Sequence, residues 1–160
     1  MESIDTYSKS NPALSAIIIW HFIKSYTKEN DNGCELPIIY AILPIILSSK
    51  LESSFDKTNI NTGFLRWLNN NPQVINQLNE RVIGTKLVTK KAFLFAISTG
   101  IIVFEGKIHL KTCDDAFRKT PNIPKSKEQI NKLIKNAKKL GAWMGEVGSA
   151  RDILINLRLV

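Results

Sequence analysis

Two histidines, two cysteines and one adjacent pair of aspartates are the side chains of this chain best suited to acid–base, nucleophilic or metal chemistry, and their spacing supplies none of it. His21 sits inside the apolar run Ile17-Ile18-Ile19-Trp20-His21-Phe22, and His109 lies in a short β-prone run far along the chain. A lone histidine in either setting is more often structural than catalytic. Cys34 and Cys113 form no Cys-x-x-Cys pair, so neither a zinc nor a redox motif is available, and unpaired buried thiols are expected. Asp114 and Asp115 are neighbours on a connector, which is a weak signal for a metal. No Gly-x-x-x-x-Gly-Lys-Ser/Thr cradle, His-Glu-x-x-His pair or Gly-x-Ser-x-Gly elbow occurs. The expectation is a protein that is not an enzyme, without catalytic, cofactor-binding or metal-ligating residues. A small enzyme relying on His21 and His109 is the weakest reading.

Charge points to binding instead. The formal net charge is +8, with six basic against eight acidic side chains in residues 1–80 and sixteen against six in residues 81–160. A basic half suits nucleic acid or an acidic partner surface. Seventeen of the 22 basic residues are lysines in a chain also rich in Ile and Asn, so part of the excess reflects composition. Lys86, Lys90, Lys91, Lys107 and Lys111, and further on Lys132, Lys135, Lys138 and Lys139, are the candidate non-specific contacts to double-stranded DNA phosphates.

The elements that position these groups are mostly helical. Asn11 and Pro12 are a favoured N-cap and first residue for a helix over residues 11–26 that is apolar on nearly every side. A surface helix would leave a broad polar face, so this one is either a central core helix or is shared between its domain and a partner. Phe22 and Tyr26 are its candidate partner contacts, and Trp20 its central core residue. Residues Thr27–Glu35 read as a loop. Leu36–Leu47 follows as a helix with Pro37 in its first turn and Pro44 as a kink; its 12 residues fall short of the about 20 a membrane span needs. Ser48–Asn61 reads as a polar connection and Thr62–Asn69 as a short helix.

Pro72–Val82 and Lys86–Thr99 repeat apolar residues at helical spacing on either side of Gly84, and Ile101–Leu110 has two β-prone runs around Glu105-Gly106-Lys107. Helix, turn, helix and hairpin is the order of a winged helix. Its recognition helix, however, is mostly apolar over Leu87–Ala96 and offers no Arg, Asn or Gln to read base edges.

After the connector Thr112–Lys125, Ser126 and Gln129 form a capping box that opens a long helix to about Glu146. Ile130, Leu133, Ile134, Ala137, Leu140, Gly141 and Met144 share one face, with Lys127 and the four lysines 132, 135, 138 and 139 across the other. Trp143 projects toward the lysine side and is the candidate exposed interface anchor. Gly148 and Ser149 stop this helix and cap a last short one. At 160 residues, 44% apolar and 22% charged, the composition is that of one globular domain. The expected fold is mainly α, a compact helical domain over residues 11–160 with a winged-helix-like β-hairpin and a long C-terminal helix, preceded by a flexible N-terminus, residues 1–10. With no secretory pattern in those ten residues, a cytoplasmic location is expected.

Asn11-Pro12-Ala13-Leu14 leading to Ile19-Trp20-His21-Phe22, then Leu36-Pro37 to Leu43-Pro44-Ile45-Ile46-Leu47, then Leu140-Gly141-x-Trp143 to Gly148-Ser149, resembles the middle components of bacterial three-component ABC conflict systems, including those of Lamassu-type antiphage operons. The likeness runs from about residue 11 to 156; the ending Leu157-Arg158-Leu159-Val160 departs from it, where a Gly-Val and a proline are expected. The resemblance implies a non-catalytic adaptor that couples the heads of an ATPase similar to SMC and Rad50 proteins to an effector subunit, often a nuclease. From the shortness of the Leu36–Leu47 stretch no membrane partner is expected. The rival reading is a stand-alone winged-helix DNA-binding regulator.

Overall fold

A computed structural model describes residues 11–114 and 128–160 of the chain. Helix α1 (Pro12–Glu29) starts where the sequence places it: Asn11 Oδ1 accepts the Leu14 N–H at 3.2 Å, with Pro12 at the first helical position. The helix continues three residues past Tyr26, and the Asn30 N–H donates to the Tyr26 carbonyl to close it. Leu14, Ala16, Ile18, Ile19, Trp20, Phe22, Ile23 and Tyr26 are all buried because other parts of this same chain surround the helix.

After a turn at Gly33 the chain forms strand β1 (Cys34–Glu35), in what reads from sequence as the end of a loop. A 3₁₀-helical turn at Leu36–Ile38 leads into α2 (Ile39–Ile46), where Pro37 occupies the first turn and Pro44 lies inside the helix. Pro44 removes one N–H that would have reached the Tyr40 carbonyl, a loss tolerated in a helix otherwise buried along its length. The stretch expected to be a plain polar connection contains a second 3₁₀ segment, Ser49–Phe55, which buries Leu51 and Phe55. It is bent 97° from the preceding helical segment, and no single described helix is long and apolar enough to cross a membrane.

Helix α3 (Phe64–Asn70) and a 3₁₀ turn at Pro72–Val74 come next. The two helices expected around Gly84 are one: α4 runs unbroken from Leu78 to Ser98. The chain turns earlier, at Gln77, which takes the left-handed conformation with φ 57°, while Gly84 is not among the residues with positive φ. Without a turn at Gly84, the helix–turn–helix expected around that residue does not form.

The expected hairpin does form. Strands β2 (Ile102–Glu105) and β3 (His109–Thr112) pair antiparallel across Gly106, and β1 adds to the other edge of β3, giving the order β1-β3-β2. Leu110 faces Cys34 on one side and Phe104 on the other.

Helix α5 (Glu128–Val147) packs along α1 with the predicted stripe inward: Leu133, Ile134, Ala137, Leu140, Gly141 and Met144 are buried. The start of its predicted capping box, Ser126, and Lys127 lie outside the described residues, as do Asp115 and residues 1–10. Helix α6 (Ala150–Asn156) is capped by Ser149, whose hydroxyl accepts the Asp152 N–H, and it docks through Ala150, Ile153 and Leu157. Glu35 Oε1 accepts the Ala150 N–H at 3.1 Å and ties this end to the sheet.

Candidate interaction surface

The aromatic side chains singled out for partner contact are enclosed by the chain itself. Phe22 and Tyr26 point from α1 into the core. Trp143 is also fully buried, which corrects the expectation of an exposed anchor. The cause is the 3₁₀ segment Ser49–Phe55 and the loop after it, which cover a second side of α5. Trp143 stacks on Phe55 at a centroid distance of 6.0 Å, lies 5.5 Å from Trp67, and donates its indole N–H to the Asn59 carbonyl at 3.0 Å. Trp67 likewise donates to the Ser54 carbonyl. Each indole thereby buries its ring and satisfies its polar edge.

The predicted lysines fall into separate groups. On α5, Lys132 pairs with Glu52 at 2.8 Å, and the Lys139 ammonium donates to the Phe55 carbonyl and the Thr58 hydroxyl. Burial shifts the Lys139 pKa downward. Lys135 and Lys138 remain exposed. On the hairpin, Lys111 pairs with Glu105 at 2.7 Å while Lys107 is exposed at the turn. Lys86, Lys90 and Lys91 are exposed on α4.

Neither histidine joins a constellation. His21 is half-buried with its ring edge-on to Trp20, and its pKa is lowered to about 4, first by burial and then by the charges of Lys138 and Lys24. His109 pairs in the sheet with Glu35 and Glu105. Cys34 is buried, and burial together with Glu35 pushes its thiol upward, away from the reactive thiolate. Lys24 holds Asp114 at 3.3 Å. Among the described residues no group of three or more His, Cys, Asp or Glu side chains is placed to hold a metal ion. A polar cleft of about 460 Å³ lies beside Trp67. It is lined by residues including Asp56, Lys57, Arg66 and Asn71, with no histidine or cysteine among them.

What sequence reading passed over is the outer face of α4. The helix packs inward through Leu78, Thr89, Ala92 and Ala96, three of them small. Three bulky apolar residues point the other way: Ile83 is 66% exposed, Leu87 62% and Leu94 55%, while Val82, Val88, Phe93 and Ile97 stay partly buried against the core. At 100° per residue these three lie within about 40° of one another, flanked by Lys86 and Lys91 with Lys90 in the row. Phe93 of α4 meets the half-exposed Phe104 of β2 edge-to-face at 5.8 Å, so the apolar surface continues onto the hairpin. The signal was present as Leu87, Leu94 and Phe95 in the candidate recognition helix, but periodicity alone does not say which face turns inward.

The family model of the ABC-three component (ABC-3C) system Middle Component 3 matches residues 3–159. No curated protein and no solved structure matches.

Proposed function

The chain belongs to the Middle Component 3 family of ABC-three component systems, an accessory subunit by that membership, and from this premise we propose that it is a non-catalytic adaptor coupling an SMC-like ABC ATPase to an effector subunit in antiphage defence of the Lamassu type. The observation that carries the reading is the exposed row Ile83, Leu87 and Leu94, which a lone domain gains nothing by leaving in water. His21 is half-buried beside Trp20 and the Cys34 thiol is buried, which fits a role in assembly. Co-expression with the ATPase and effector of its own system, followed by size-exclusion chromatography, tests this. Migration in one complex is the expected result; migration of the chain alone, with the other two components folded, overturns it.

Contact with double-stranded DNA is a second, compatible role. Lys135 and Lys138 of α5 are exposed, whereas Lys132 and Lys139 are engaged within the chain. Non-specific, salt-dependent binding is the form such contact takes. The rival reading as a stand-alone winged-helix regulator rests on the basic second half of the chain, but the turn it expects at Gly84 is replaced by a continuous α4.

A further inference from the structure

We propose that the outer face of α4 is the docking seam for one amphipathic helix of another subunit, and that this partner helix carries carboxylates beside its apolar row. The inference rests on the reading of the chain as a subunit and names the surface and the chemistry of its partner.

The spacing is that of a helix-packing seam. Ile83, Leu87, Lys90 and Leu94 recur at intervals of four, three and four residues, the a/d pattern by which one helix lies along another. From Ile83 to Leu94 the row is about 16 Å long, three turns of helix. The opposite face of the same helix is closed against the body through Leu78, Thr89, Ala92 and Ala96, with Val82, Val88, Phe93 and Ile97 partly buried beside them. A helix already seated on the core by one face that still carries three exposed bulky residues on the other has a second face to cover.

Charge selects the occupant. Lys86 and Lys91 flank the row and Lys90 interrupts it, while Glu80 is the one carboxylate on this helix. A second copy of this chain would bring the same lysines face to face, and like charges across a seam disfavour the pairing. Duplex DNA would accept the lysines but would press phosphates against Ile83, Leu87 and Leu94. A partner helix with Leu- or Ile-type residues along its centre and Glu or Asp opposite Lys90 satisfies both features, since a single charged residue in an apolar seam fixes register through its counter-charge. The edge-to-face pair Phe93 and Phe104 borders the seam on the hairpin side.

The test uses the full chain co-expressed with the ATPase and effector of its system, comparing wild type with Leu87→Glu, Lys90→Glu and the control Ile155→Glu, an exposed apolar site on α6. Leu87→Glu and Lys90→Glu are expected to weaken assembly about tenfold or more with unchanged thermal stability of the isolated chain, and Ile155→Glu to leave it intact. A photo-crosslinker at position 87 should attach to an acidic helical segment of another subunit. Crosslinking to a second copy of this chain overturns the proposal. So does wild-type assembly by both α4 variants, or loss of duplex DNA binding as their sole defect. Failure of the wild-type chain to assemble at all overturns the subunit reading too, and is thereby distinct.

Discussion

Gly141 of α5 lies directly against the Phe22 carbonyl of α1, so close that a Cβ placed on the glycine would fall inside any real contact distance with that oxygen. One turn on, a Cβ at Gly145 would stand 2.6 Å from the Tyr26 carbonyl. The two glycines therefore set how near α5 approaches the central helix, and the packing of Leu140 and Met144 around α1 follows from that separation. Because the obstructing atoms are backbone, the helices themselves must move to admit a methyl group. Gly141→Ala is expected to cost about 1–3 kcal/mol and Gly141→Val more, measured by urea unfolding of the isolated chain.

Gly84 should respond with the opposite sign. It sits exposed within α4, and a Cβ there meets nothing within 4 Å. Alanine at such a site relieves the entropic cost of a helical glycine, so Gly84→Ala is expected to stabilise by about 0.5–1 kcal/mol. Were the chain to turn at Gly84 in the left-handed conformation, as a helix–turn–helix would have it, the same substitution would destabilise. The sign of the change in urea midpoint separates the two.

How much of this was legible beforehand depended on whether local pattern or tertiary covering decides. The start of α1 was readable because Asn11 and Pro12 act within one turn, and the α5 stripe because its residues repeat at helical period. The hairpin was readable from Gly106 between two β-prone runs. Strand β1 was not: its two residues are ordered by partners far along the chain, Leu110 and His109 in the sheet and the Ala150 N–H on Glu35. Trp143 was misassigned because the segment covering it lies some 80 to 90 residues away and reads as polar. The exposed row on α4 was hidden for the converse reason, since Leu87 and Leu94 look like core until Thr89, Ala92 and Ala96 are seen to face inward.

Trp143→Ala is expected to lower stability by about 3–5 kcal/mol, the range for emptying a large buried aromatic site. Trp143→Phe should cost less, retaining part of the stacking on Phe55 while losing the hydrogen bond to the Asn59 carbonyl. Both are read from thermal unfolding. An effect on complex assembly without a loss of stability would return Trp143 to the surface role that its burial argues against.

His21 predicts a pH dependence. Its pKa is lowered to about 4, against an ordinary value of 6.5, first by burial and then by Lys138 and Lys24. The folded chain thus keeps the ring neutral where the unfolded chain binds a proton, so stability rises with pH across this window. The contribution is complete above about 6.5 and is lost as the pH falls from there toward about 4. Subtracting the profile of His21→Gln isolates it from carboxylate titrations. Lys138→Ala should move the imidazole pKa back upward, followed by NMR titration.

The α5 lysines should separate by what they touch. Lys139 spends its ammonium on the Phe55 carbonyl and the Thr58 hydroxyl, bridging α5 to the loop that roofs Trp143. Lys139→Met is therefore expected to destabilise by about 1 kcal/mol, since a methionine keeps the stem but strips two hydrogen bonds. Lys135 and Lys138 are exposed, and Lys135→Ala with Lys138→Ala should leave stability nearly unchanged. If α5 meets duplex DNA, that double variant lowers affinity and flattens its dependence on salt, because each phosphate contact contributes to the counterion slope. Equal loss of DNA affinity in Lys139→Met would mean that its ammonium leaves the loop, and a fluorescence change at Trp143 in the presence of DNA would report that departure.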